Sequence, residues 1–330
     1  PKETVFYPST IINLKKLSID DGLSQNAGLA MLQDSRGYLW IGTQDGLNRY
    51  DGYHISQYKH DADNPNSLSH NSVIALYEDS EGYIWVGTWG GGLNRYDWIT
   101  DQFDQFLPEE DNPNSLAGSI VTSIAQDALG RLFVGTLDGI NLLDIRSGKF
   151  LHYNNTQSDL TSMQAVSTIL PAQDGNLWIG TGAYGTEGNG VFHFNSYTGE
   201  VQRIHSSQPD CLSAVNVSSL KMAADGSIWI GYGGYGVSGG GLDHYFPESG
   251  MCEHFDIQNG NKQITDNNVT DLLIDRDERL WIAAWSGGLY HIEPNNNGQI
   301  FHISHAASDP ESLSSNSVFS LLQDNSAVLW

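Results

Sequence analysis

Apolar residues along this chain fall into short runs separated by turn residues. The stretch from Val73 to Tyr77, then Asp79-Ser80-Glu81-Gly82, Tyr83 to Thr88, Trp89 to Gly92 and Leu93 to Tyr96 shows the pattern, and a looser run, Gln102-Phe103-Asp104-Gln105-Phe106, follows. Short apolar runs joined by Gly and Asp turns predict four strands linked as hairpins. The unit recurs. Leu39-Trp40-Ile41-Gly42-Thr43 and Ile84-Trp85-Val86-Gly87-Thr88 are two copies of one phrase, and its aromatic anchors are Trp40, Trp85, Phe133, Trp178, Trp229, Trp281 and Trp330. They stand 45, 48, 45, 51, 52 and 49 residues apart, the period of four-stranded propeller blades.

Leu-Trp-Ile sets three apolar residues in succession on a strand whose side chains alternate faces, so both faces must be covered. A sheet stacked between two other sheets meets that demand, whereas a sheet with one wet face would alternate apolar and polar positions. Seven anchors therefore predict an all-β, seven-bladed propeller of four-stranded antiparallel blades, one domain over residues 1–330. The last blade, at Trp330, is expected to be incomplete and closed by an N-terminal strand at about residues 13–19, with the natural chain continuing past residue 330.

Turn chemistry repeats in register with the anchors. Asp stands six residues before the anchor at Asp34, Asp79, Asp127, Asp275 and Asp324, and Gly three before it at Gly37, Gly82, Gly130, Gly175 and Gly226. Asp bonds its own turn backbone, and Gly accepts positive φ. Glu278 and Ala327 fill the Gly slot in two repeats, where a different or strained turn is expected. After the anchor dipeptide come Gly42, Gly87, Gly135, Gly180, Gly231 and Ala283, small enough for close backbone approach near an axis.

Acidic residues number 39 against 15 basic, a formal charge of −24. The acids are scattered, which suits solubility and disfavours nucleic acid or anionic lipid as partners. Cys211 and Cys252 permit one disulfide without requiring it, and the predicted propeller puts them at opposite faces. No apolar run approaches the ~20 residues of a membrane span.

The pattern Asp-x-x-Gly-x-Leu-Trp-Ile-Gly-Thr-x-x-Gly-Leu-x-x-Tyr, whole from Asp34 to Tyr50 and nearly whole from Asp79 to Tyr96, resembles the two-component regulator propeller repeat. Leu68-Ser69-His70-Asn71-Ser72-Val73 and Leu313-Ser314-Ser315-Asn316-Ser317-Val318 resemble the family's approach to the inner strand. The resemblance implies a periplasmic sensor region of a bacterial inner-membrane protein, paired with a second propeller or a homodimer partner. It further implies a cytoplasmic histidine kinase or diguanylate cyclase output outside these residues, and carbohydrate fragments among the signals.

If the first strand of each blade is innermost, the turns between second and third strands gather on one face. Trp89, Tyr184, Tyr235 and Trp285 stand in those turns, where an aromatic either stacks on a flat ligand or seals the neighbouring turns. Asp45, Asp138, His70 and Asn71 are placed at the same face as polar candidates. Asn26, Asn71, Asn267 and Asn316 recur before inner strands, either capping turns or lining a channel mouth. His193, His244 and His291 share one third-strand slot and read as exposed strand positions. No metal, cofactor or catalytic spacing emerges: there is no His-Glu-x-x-His, Cys-x-x-Cys or phosphate-cradling Gly-x-x-x-x-Gly-Lys, and the many glycines belong to hairpin turns. Calcium at Asp63-Asn64-Pro65-Asn66-Ser67 or Asp111-Asn112-Pro113-Asn114-Ser115 lacks the alternate ligands it needs. A ligand-sensing module leads; a lyase or glycosidase using Asp45, Asp138 and His70, or a docking scaffold, are the alternatives.

Overall fold

The computed structural model describes residues 16–153, 163–172, 174–204, 211–255, 266–293, 300–309 and 311–330. Six antiparallel sheets of four strands form, each a simple meander in chain order, over residues 30–58, 73–106, 121–152, 166–204, 217–255 and 269–303. The first strands of successive blades adjoin one another around the axis.

Six four-stranded blades, not the expected seven, are therefore present. The seventh anchor lies in a single pair of segments: Leu322 and Trp330 exchange backbone hydrogen bonds of 3.1 and 2.7 Å, Gln323 bridges Leu329, and no third or fourth strand joins them among the described residues. A repeat of the motif supplies a turn and a core strand, but a blade also needs two outer strands. The N-terminal closing strand is also absent from its described part. Ser18 caps a 3-10 turn at Ile19–Asp21, with the Asp21 carboxylate accepting from the Ser18 backbone at 2.8 Å, and Gly22 ends it at φ 106°. Ser-Ile-Asp-Asp-Gly is turn chemistry, and it overrides the apolar alternation before it. Residues 13–15 lie outside the described residues. The seam is closed by packing, with Leu17, Leu322 and Trp330 against Leu23, Leu39 and Ile41, and by the Asn325 N–H donating to Gln33 Oε1 at 2.6 Å.

Between blades lies the core, in clusters that span each pair. Trp40 of blade one packs with Leu68, Val73, Ile84 and Val86 of blade two, and Trp85 of blade two packs with Val121, Leu132 and Val134 of blade three. Two-sided burial of the anchor strand is complete: all five residues of Leu39–Thr43 and of Ile84–Thr88 are buried. The small residue after the anchor is where the next blade's inner valine arrives. A Cβ on Gly42 would stand 2.5 Å from Val73 Cγ1, and one on Gly87 2.7 Å from Val121 Cγ1. Blade six carries Ala283 there, fully buried.

The repeated Asp has a second task. Besides accepting turn N–H groups, its outer oxygen accepts the anchor indole: Trp40 Nε1 to Asp34 at 2.8 Å, Trp85 to Asp79 at 2.7 Å, Trp281 to Asp275 at 2.8 Å and Trp330 to Asp324 at 2.8 Å. Blade three has Phe133, which has no donor, and the Arg131 Nε takes the Asp127 oxygen at 2.7 Å instead. Glu278 and Ala327 keep the same turn at φ 61° and 63°, so the strain expected there is in the backbone of two L-residues held left-handed.

Two further expectations change. Cys211 and Cys252 are bonded, with Cα atoms 5.1 Å apart, because the segment at Cys211 runs beside the outer strand Met251–Phe255 rather than across the blade from it. His193, His244 and His291 are not exposed strand residues. Each sits opposite its anchor and against its ring, His244 stacked and His193 and His291 tilted, with centroids 3.8, 4.3 and 4.7 Å from Trp229, Trp178 and Trp281.

Candidate functional site

In five of the six blades a bulge aims one residue of the inner strand at the axis. In blades two to six the pairing with the anchor strand skips Ile74, Thr122, Ser167, Ser218 and Thr270, each directly after the inner valine. A bulged residue is unpaired and turned out of the ladder. These five, with Leu29 and Phe319, form the wall of a central funnel of about 700 Å³, within the size range of small-molecule sites.

The wall is less polar than its composition. Thr122 Oγ1 donates to the carbonyls of Gly135 and Val166, and Thr270 Oγ1 to that of Val318, so these hydroxyls tie neighbouring blades together instead of facing the axis. Ser167 Oγ and Ser218 Oγ are buried without a hydrogen-bond partner. What remains toward the funnel is mainly methyl, aliphatic and aromatic surface from Leu29, Ile74 and Phe319 together with the threonine side chains.

At the mouth, four aromatics from four blades come together. Trp89 meets Tyr184 edge-on at 4.6 Å, Tyr235 meets Trp285 at 5.5 Å, and Trp285 meets Phe319 of the wall at 5.2 Å. The turns at Gly185 and Gly236 touch: a Cβ on Gly236 would stand 3.2 Å from the Gly185 nitrogen. Asparagines of the following blade clamp the enlarged turns. Asn216 Oδ1 accepts from the Gly188 N–H at 2.8 Å, and Asn268 Oδ1 from that of Gly234 at 2.6 Å. Tyr235 is 63% exposed, whereas burial pushes the Tyr184 phenol up to about 12. These aromatics pack on one another across neighbouring turns, and they also line the funnel.

The four polar candidates lie outside the wall. Asp45 pairs with Lys59 at 2.7 Å, and the Asp138 backbone N–H bonds Thr136 Oγ1. His70 Nδ1 accepts from the Ser72 N–H within its own turn, and Asn71 Oδ1 accepts from the His60 N–H at 2.7 Å. Asn316 repeats the last arrangement with His305, and Asn26 accepts from Ile19, so turn capping accounts for these three asparagines. The Asp63 and Asp111 loops are closed by Ser67 and Ser115 bonding back to their own backbones. Sequence reasoning missed the bulged wall and the clamps Asn216 and Asn268. The signal was the residue after each inner valine, and the residue before it.

A ring of blades around an aromatic-mouthed funnel defines a β-propeller, and the comparisons agree with the motif. The chain carries two-component regulator propeller repeats, matched at residues 22–45, 67–90, 159–183 and 263–286. A histidine kinase of Formosa agariphila, Histidine kinase P4, is 43% identical over 47 residues, which is 14% of this chain and 3% of that protein. The extracellular domain of a hybrid two-component system from B. thetaiotaomicron superposes with a TM-score of 0.81 at 27% identity, covering 97% of this chain and 40% of that one. A second such domain from the same organism matches at 0.72 and 24% identity over 96% of this chain and 38% of its own, and shows the shared fold alone. This chain thus spans about two fifths of these two solved chains. No described helix is long and apolar enough to cross a membrane.

Proposed function

We propose that this chain is the extracytoplasmic sensing propeller of a membrane-bound bacterial two-component protein. It takes a small molecule or carbohydrate into the funnel mouth and relays occupancy to a cytoplasmic kinase. The observation that carries the reading is the convergence of Trp89, Tyr184, Tyr235 and Trp285 from separate blades on one cavity. Rings held rigidly by neighbouring turns lose little freedom when a flat ligand stacks on them. The likeness to extracellular domains of hybrid two-component systems supports the location, and the Cys211–Cys252 bond suits an oxidising compartment.

A lyase or glycosidase reading finds no support at the funnel. Its described lining contains no carboxylate, imidazole or thiol within which a proton could be passed. Thermal denaturation across a panel of neutral glycans and aryl glycosides tests the proposal, since a ligand bound only by the native state raises the midpoint. The shift is expected to vanish in Trp89→Ala/Trp285→Ala. A ligand whose shift survives that double substitution binds elsewhere and refutes the funnel site.

A further inference from the structure

The chemistry of the funnel wall narrows what it accepts. In a chain of formal charge −24, the wall and mouth carry no charged side chain among the described residues. An ion carried into the funnel would lose its water and meet no opposite charge, which is strongly unfavourable; an anion would also approach against the field of the whole protein. The hydroxyls of Thr122 and Thr270 are already spent on neighbouring blades. One arc of the wall presents the apolar side chains of Phe319, Leu29 and Ile74, with the uncharged Gln44 and Ser72 also in the lining. On the opposite arc, adjacent blades present Ser167 and Ser218, whose hydroxyls are buried and meet no partner within the protein. A χ1 rotation brings either hydroxyl from its blade toward the axis, where a ligand oxygen would satisfy it.

Building on the sensor reading above, we infer that the funnel takes an uncharged molecule with a flat apolar body. That body enters first and lies against Phe319, Leu29 and Ile74. A hydrogen-bonding edge faces Ser167 and Ser218, and any sugar portion stays at the mouth between the Trp89–Tyr184 and Tyr235–Trp285 pairs. An aryl glycoside has this shape; a bare saccharide lacks the body, and a uronic acid adds the forbidden charge.

Three matched probes separate these terms: phenyl β-D-glucoside, methyl β-D-glucoside and phenyl β-D-glucuronide, followed by saturation-transfer NMR and calorimetry on the intact chain. Phenyl β-D-glucoside is expected to bind with its ring protons more strongly saturated than its sugar protons, and each of the other two at least tenfold more weakly. Ser167→Ala/Ser218→Ala, which removes only unpaired hydroxyls, should weaken 4-hydroxyphenyl β-D-glucoside, whose ring carries a hydrogen-bonding edge, about fivefold while leaving the melting temperature unchanged or higher. Tyr235→Ala, at an exposed position, should weaken it further with the fold intact. Equal binding of methyl and phenyl glucosides, with sugar protons dominant and lost in Tyr235→Ala, would overturn the ligand class and leave the funnel site standing. Absence of transfer from all three probes, or transfer unaffected by Tyr235→Ala and Trp89→Ala, would overturn both.

Discussion

Blades one and two and blades four and five are built from one phrase but held together differently. In the first pair, Asp34 and Asp79 tie the anchor indole to its turn, and Arg49 and Arg95 lie over the same indoles from the third strand. A carboxylate from the next blade also reaches back, Glu78 accepting from Ser35, and Gln126 of blade three does the same for Ser80. In the second pair, Ala172 and Ala223 replace the Asp, and Met222 and Ile274 of the next blades replace the reaching side chain. His193 and His244 lie against the anchors in place of arginine, and the Cys211–Cys252 bond secures blade five. These same two blades carry the enlarged turns with Tyr184 and Tyr235. The local rules of the repeat lapse on the side of the ring that builds most of the mouth, as expected where a site competes with regularity.

The comparison can be broken at several points. The largest effect is expected where all blades agree. Gly87→Val places a Cβ 2.7 Å from Val121 Cγ1 and 2.8 Å from its carbonyl, and should cost more than about 5 kcal/mol, read as loss of soluble folded protein. Ala283→Gly at the equivalent place in blade six should cost only about 1 kcal/mol by denaturant titration. Next, Cys252→Ser opens a link between residues separated by 41 positions. It should destabilise by about 4 kcal/mol on the loop-entropy relation, and reductant should reproduce the loss in the parent.

A smaller effect is expected from Asp79→Ala, which removes the partner of the buried Trp85 indole and of two turn N–H groups. About 3 kcal/mol is expected, with a blue-shifted or broadened indole N–H resonance. Ala223→Asp is the counterpart, and should gain no more than about 1 kcal/mol, because Trp229 already lies flat on His244 at 3.8 Å. The smallest effect is in pH. Burial holds the His193 and His291 imidazoles below their ordinary value of 6.5. Unfolding therefore takes up protons near that pH, so their contribution is complete above about pH 6.5 and declines as pH falls through the folded values. Melting temperature should drop between about pH 7 and pH 5, and His193→Phe/His291→Phe should flatten that slope.

Much of this architecture was legible because sheet-on-sheet burial leaves a period in the sequence. The anchors, the Asp turns and the small residue after the dipeptide all sit where the repeat placed them. The blade count was not legible in the same way, since a motif marks a turn and one core strand, and Trp330 has both without a blade around it. The aromatics of the mouth could be found because Trp89 and Trp285 occupy turns with no core to fill. Ser167 and Ser218 could not, because a bulge reverses the direction in which strand alternation points a side chain. Asp45 and Asp138 do not line the funnel, since a shared face does not mean a shared cavity: Lys59 pairs with one, and the backbone N–H of the other bonds Thr136 Oγ1.

Hydrogen exchange resolved by segment, with and without saturating phenyl β-D-glucoside, tests the central claim most directly. Slowed exchange confined to the turns at 182–190 and 233–241 and to the Trp89 and Trp285 turns, with the Asp34 and Asp79 turns unchanged, is the predicted result. Protection spread equally over all blades, or found only on the face of the Asp turns, would contradict it.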